Sequence, residues 1–157
     1  MKRKRAVGTT RVDGRRDDSV VCPCGSQRPY GGCCAPLHDG VATAADAVAL
    51  MRSRYSAYVR GRKDYLLATW HPSTRPPGLD DAAATRWLDL QIRNHSPAGP
   101  DAATVEFVAR YRVAGRGGRL HEISRFVRKE GRWYYLDGEF PHVGADGNAA
   151  PAAAGGP

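Results

Sequence analysis

From residue 104 onward, hydrophobic and polar side chains alternate. In "TVEFVARYRV" one set of positions carries Val105, Phe107, Ala109, Tyr111 and Val113, and the other carries Glu106, Arg110 and Arg112. A period of two marks a strand with one buried face. "LHEISRFVRK" (120–129) alternates less cleanly, with Leu120, Ser124 and Phe126 opposing Ile123 and Val127, and "RWYYLDGEF" follows. Turn residues separate the segments at "GRGGR" (115–119) and "EG" (130–131). Three hairpin-linked strands predict an antiparallel sheet.

Earlier in the chain the period is helical. Ala47, Leu50, Met51, Tyr55, Tyr58 and Val59 recur at spacings of three and four. They predict a helix that opens on a Thr43 cap, takes Asp46 into its first turn and stops at Gly61. Arg52, Arg54 and Arg60 on this helix read as a solvated face, with an anion or partner surface as the second reading. A short helix is expected over 63–70, ended by Pro72, followed by a loop at "TRPPG". "LDDAAATRWLDLQI" (79–92) reads as a helix passing into a strand near Leu90. Helices first and strands afterwards define an α+β fold, with one face of the sheet buried under the helices.

Composition and charge bear chiefly on the ends. A chain of 157 residues suits one domain with a small appendage. Of its formal charge of +8, half sits in residues 1–20, where seven Lys/Arg meet three Asp. Such a leader, polar and without periodicity, is expected to be disordered. A basic arm attracts RNA or other polyanions, but no aromatic residue is interleaved for base stacking, so a solubilising tail is the simpler reading. "PHVGADGNAAPAAAGGP" (141–157) is likewise expected to be loose. No run of about 18 apolar residues predicts a transmembrane helix, and no apolar export segment follows the basic start. These features predict a cytoplasmic protein, in a compartment that keeps thiols reduced.

All four cysteines fall in "CPCGSQRPYGGCC": Cys22, Cys24, Cys33 and Cys34. Zinc takes four thiolate or imidazole ligands in a tetrahedron. Pro23 stiffens the first pair, Gly25 and Ser26 permit a turn that aims backbone N–H groups at sulfur, and Gly31 and Gly32 let the chain return. Four thiolates around Zn²⁺ leave a charge of −2, so Arg28 and backbone amides are expected to donate to them. Disulfides and free thiols are the alternatives, and neighbouring cysteines cannot pair with each other without strain. His38, four residues beyond Cys34, is an alternative ligand. The reading is one structural Zn²⁺ per chain on Cys22, Cys24, Cys33 and Cys34.

"CPCGS", the eight-residue spacer and the terminal Cys-Cys resemble the SEC-C motif, the small zinc module at the end of the preprotein translocase ATPase. "CPCGSQRPYGGCCAPLHDG", "ALMRSRYSAYV", "YLLATWHPSTRP", "HEISRFVR" and "GRWYYLDGEF" together resemble the bacterial YchJ-like family over residues 22–140. The resemblance implies a basic leader (1–20), a SEC-C zinc-binding motif (21–38), a nuclear-transport-factor-2-like α+β domain (41–140) built as a cone of helices against a curved antiparallel sheet, and a tail (141–157). It also implies a protein-interaction adaptor with an unknown protein partner, for which the motif's resemblance suggests a ribosome or secretion component. The spacer here carries a single positive charge where the translocase motif is rich in lysine.

Folds of this type often enclose a pocket, which makes a small-molecule-binding protein or enzyme the alternative. Candidate polar groups are Tyr55, Tyr58, Trp70, His71, Asp89, His95, His121, Glu122, Arg125 and Asp137. An Asp or Glu next to a His and a Tyr in an apolar pocket can act as general base and oxyanion donor. His121 and Glu122 are adjacent on a strand, however, and must point to opposite faces. Trp133, Tyr134 and Tyr135 read as packing residues. No catalytic residue is assigned.

Overall fold

The computed structural model describes residues 18–80 and 85–141. The leader up to residue 17 and the tail from residue 142, both expected to be disordered, lie outside the described residues. Four strands, β1 (Thr85–Pro97), β2 (Ala102–Val113), β3 (Arg116–Lys129) and β4 (Arg132–Glu139), form one antiparallel sheet in chain order. Three helices precede them: α1 (Ala35–His38), α2 (Ala47–Arg60) and α3 (Lys63–Ala68). The expected α+β order holds, with helices on a curved antiparallel sheet.

Residues 81–84 lie outside the described residues; the expected helix within 79–92 is corrected from Thr85 onward, where the chain is already strand β1. Its register explains the misreading. Trp87 pairs with Tyr111 and Leu90 with Ala109, and Leu88 is the extra residue of a bulge between them. The bulge puts Trp87 and Leu90, three apart as on a helix, on the same inward face. "SPAGPD" is therefore a hairpin connection, with Ala98 N–H bonded to Ala102 O at 2.8 Å. Further register shifts between Ile92 and Asn94 and between Arg125 and Phe126 add to the bend that turns a flat sheet into a cone wall.

The other two hairpins are two-residue turns in which both central residues have positive φ: Ala114 and Gly115 (49° and 78°), then Glu130 and Gly131 (52° and 79°). This twist suits right-handed strands. Most of "GRGGR" is consequently strand and not turn. Gly118 stays open because the Tyr111 ring lies over it: a Cβ there would come within 2.4 Å of that ring.

Helix α2 is capped by Asp46 and not by Thr43. The Asp46 carboxylate accepts from Ala49 N–H at 2.7 Å, and Asp is at least as good a cap as Thr. Gly61 closes the helix in the left-handed conformation (φ 68°). α3 stops at Ala68, short of the expected residue 70. Residues 69–71 leave it to line the β4 edge, with Tyr135 N–H bonded to Thr69 O (2.8 Å) and His71 N–H to Tyr135 O (2.7 Å).

The core lies between α2, α3 and the concave sheet face, where Leu50, Leu66, Val105 and Phe126 are fully buried. The inward face of β2 is the one expected: Val105, Phe107, Ala109 and Tyr111 are buried. Eight of the fourteen α2 residues are buried, including Ser53, Ser56 and Ala57, which lie off the apolar stripe. A helix resting on one surface buries about half its circumference at most. α2 buries more because the cysteine module covers its other side. The reading of Arg54 as solvated is corrected for a different reason: it stands four residues after Leu50 and four before Tyr58, within the apolar stripe that faces the sheet, and is 3% exposed.

Candidate functional site

Two places concentrate chemistry, and α2 separates them. The first is the cysteine knuckle. Val20–Cys22 runs back along Arg28–Tyr30, with Cys22 N–H to Arg28 O and Tyr30 N–H to Val20 O both at 2.8 Å. Gly25 (φ 80°) and Gln27 (φ 66°) make the reversal between them. A 3₁₀ turn at Tyr30–Gly32 then returns Cys33 and Cys34 to the first pair.

The four Sγ atoms all lie within 4.8 Å of one another. Cys24 and Cys33 are 3.5 Å apart at sulfur, and Cys33 and Cys34 are 4.0 Å apart. Zn–S bonds of about 2.3 Å in a tetrahedron require sulfurs about 3.8 Å apart, so the spacing fits. All four are free cysteines, without disulfides. Hydrogen bonds from Cys22 and Cys34, with smaller help from Ser26, pull the Cys24 thiol far below the ordinary thiol range. Cys34, bonded to Cys22 and Cys24 and buried, is pushed up. A divalent cation relieves this competition for protons by taking all four sulfurs as thiolates. The cluster can hold a metal ion.

Ser26 supports the cluster as expected: its Oγ lies 3.1 Å from Cys33 Sγ, and its backbone N–H bonds Cys24. Arg28 does not; its guanidinium goes to Gly32 O. His38 is turned away from sulfur, with Nδ1 2.7 Å from Tyr30 Oη and Nε2 2.8 Å from Ser53 O.

The knuckle is seated on α2. Cys22 Sγ lies 3.7 Å from Ser56 Oγ, Arg52 donates to Cys24 O at 2.6 Å, and the Arg60 guanidinium covers the Tyr30 ring at 3.8 Å. Arg62 adds bonds to His38 O (2.9 Å) and Asp39 (3.1 Å). Arg52, Arg60 and Arg62 thus serve this seam.

The second place is a cavity inside the cone, with a free volume of about 30 Å³. Its wall is mostly aromatic and aliphatic, with Tyr55, Tyr58, Trp87 and Phe107 among the lining residues. Into it project one buried carboxyl and one buried guanidinium. Glu122 is 2% exposed, and its Oε1 accepts from Tyr135 Oη (2.7 Å) and Ser124 Oγ (3.0 Å). Burial pushes its carboxyl up to about 7, against the lowering effect of those two bonds and of Arg54. Glu122 has room because residue 138 is glycine; a Cβ there would fall 2.0 Å from its Oε1.

Arg54 is anchored by Nη1 to Leu66 O (2.7 Å) and Thr69 Oγ1 (2.8 Å). Its guanidinium lies over the rings of Tyr135 (4.7 Å) and Trp70 (5.1 Å), and it also bonds Tyr58. No ion pair joins Arg54 to Glu122 among the described residues; their charges interact across the cavity.

Of the ten polar candidates, the cavity brings together Tyr55, Tyr58 and Glu122, and Trp70 backs Arg54. The rest lie elsewhere. His121 faces outward and bonds Glu106 at 2.7 Å, as strand alternation required. Asp89 pairs with Arg110 and Asp137 with Arg125 on the exposed face, His71 bonds Ser73, and His95 is exposed. Arg54, Ser124 and Tyr135 were missed. Ser124 on the apolar face of β3, and Gly138 opposite it, were the signals available for a polar inclusion.

A cysteine knuckle packed on a helix-and-sheet cone places the protein among SEC-C proteins with an NTF2-like domain. The comparisons agree. A family model described as "YchJ, middle NTF2-like domain" matches residues 46–138. A UPF0225 protein of Methylibium petroleiphilum is 60% identical over 123 residues, covering 76% of this chain and 88% of that one. One from Ralstonia nicotianae is 53% identical, covering 77% and 92%. The solution structure of a SEC-C motif containing protein from Rhodopseudomonas palustris has 37% identity and a TM-score of 0.71, covering 78% of this chain and all of that one. A crystal structure of a SEC-C motif containing protein from Psychrobacter arcticus has 28% identity and a TM-score of 0.67, covering 89% and 93%. The chain belongs to the YchJ-like, UPF0225 family. No helix among the described residues is long and apolar enough to cross a membrane.

Proposed function

We propose that Cys22, Cys24, Cys33 and Cys34 hold one structural Zn²⁺, and that the body it staples binds a small molecule in the cone. Zinc is favoured over other metals by the all-thiolate donor set and the tetrahedral spacing. When bound it supplies folding free energy to a segment too small to hold itself by apolar burial. The observation that carries the second half is Glu122: a carboxyl 2% exposed, kept in a cavity opposite an arginine with which it forms no ion pair. Burying both groups is costly unless the gap between them has a use. The role is binding; the serine hydroxyl beside Glu122, that of Ser124, is itself buried and donates its proton to the carboxyl. Metal analysis of protein purified without added zinc, together with a ligand screen on the loaded protein, tests both halves. A zinc content well below one per chain sinks the first, and a cavity that takes no ligand class sinks the second.

A second reading is a cytoplasmic protein-interaction adaptor with a ribosome or secretion component as partner. It is supported by exposed Val20, Val21 and Val41 (53%, 63% and 82%), which flank the knuckle in sequence. Affinity capture with the native protein and with a Val21→Asp variant tests it. Recovery of the same partners by both would remove the valines from the reading.

A further inference from the structure

We infer that the cone cavity takes a small monocarboxylate with an apolar tail, its carboxylate held between Arg54 and Glu122. The inference rests on the small-molecule reading and names the ligand class. Three observations lead to it.

The first is charge. Arg54 is permanently cationic, while Glu122 is held between its charged and neutral forms near pH 7. The interior is therefore net positive and favours an anion over a cation. A dication or an amine would face the guanidinium with too little negative charge to offset it.

The second is hydrogen-bonding capacity. Neutral Glu122 carries one O–H donor, and its Oε1 already accepts from Tyr135 and Ser124. Its proton is thus left for a ligand acceptor. A carboxylate accepts from this donor and meets the field of Arg54 with one planar group.

The third is size. About 30 Å³ holds one or two water-sized groups. This suits a carboxylate head; the cavity is not enclosed, so the tail need not fit within that volume. Met51, Tyr55, Trp87 and Leu120 continue the lining with apolar surface for the rest of the molecule.

Binding should be linked to a proton, because an anion is repelled by ionised Glu122 and accepts from the neutral form. The groups facing Glu122 are Arg54 and Tyr58 from α2, Tyr135 from β4, and Ser124 on its own strand; Asp137, paired with Arg125 on the outer face of β4, acts on it only through its charge. β2 contributes apolar Phe107 and Ala109. Tyr58 and Tyr135 are both pushed up by burial, so neither titrates near neutrality. Glu122 is the group that switches.

The test is an NMR titration of the zinc-loaded full chain with two matched series: butyrate, butyramide and butylamine, then benzoate, benzamide and benzylamine. The acids should bind best, shifting resonances of Arg54, Glu122 and Tyr135. Their affinity should fall about tenfold from pH 6 to pH 8. Glu122→Gln, a permanently neutral donor, should keep binding and lose the pH dependence. Arg54→Met should abolish binding; if it fails to fold, the pH profile and Glu122→Gln still decide. Preference for an amide or amine, or a flat pH profile in the native chain, overturns the carboxylate while leaving the small-molecule reading intact. Absence of binding by all six compounds overturns both.

Discussion

Replacing Gly138 by alanine should damage the protein through Glu122, a residue sixteen positions away. A Cβ at 138 would stand 2.0 Å from Glu122 Oε1, 2.7 Å from Cδ and 2.8 Å from Cγ. Nearly the whole side chain lies across the glycine, so a small rotation of the carboxyl end does not relieve the clash. Glu122 is 2% exposed and cannot swing into solvent. Its one refuge is the cavity, and moving there breaks the bonds from Tyr135 and Ser124. Losing two buried hydrogen bonds costs about 2–3 kcal/mol, and overpacking adds about 1 kcal/mol or more. We expect Gly138→Ala to lower unfolding free energy by about 3 kcal/mol in urea titrations, or Tm by roughly 6–12 °C. The control is the same substitution in a Glu122→Ala background, where the space is empty and the cost should fall below about 1 kcal/mol. A Gly138→Ala protein within about 0.5 kcal/mol of the parent, or an equal loss in both backgrounds, would refute the steric account.

Glu122 titrates near 7 in the fold against 4.5 ordinarily, so the folded state holds an extra proton between those values. Its contribution to stability therefore declines as pH rises from 4.5 to 7 and is constant above; relative to Glu122→Gln, the parent should lose roughly 3 kcal/mol across that window in paired urea titrations. Chelation should unfold the knuckle and weaken the cone together, giving one melting transition at lower temperature by calorimetry; two separate transitions would show that the seam does not couple them. Ser56→Leu, at a fully buried position 3.7 Å from Cys22 Sγ, should cost about 1–3 kcal/mol by overpacking and lower zinc affinity in a competitive chelator assay; unchanged metal affinity would mean that the knuckle tolerates being lifted from α2.

What could be read in advance divides by the range of the forces involved. The strand faces of β2 and β3 follow from period-two burial, and the metal quartet follows from local spacing that coordination chemistry constrains tightly. β1 was misread because a bulge at Leu88 gives Trp87 and Leu90 a helical interval on one face of a sheet. The cavity was only partly legible, because its polar members arrive from α2, β3 and β4 and meet only in the fold. Arg54 shows why. Its position, four residues from both Leu50 and Tyr58, puts it on the buried stripe, but its charge argues for solvent until the partners that hold it are in place. The interval Ser53, Ser56, Ala57, small residues at spacings of three and four, marks a second buried side, and that side exists only because the knuckle sits there. The helix therefore carries the seat of the cysteine cluster on one face and the cavity's fixed cation on the other. Residues 52–56 divide between the two: Arg52 and Ser56 toward the knuckle, Arg54 and Tyr55 toward the cone. Anything that lifts the knuckle shifts the helix that positions Arg54, so metal occupancy and cavity geometry are bound to one rigid element.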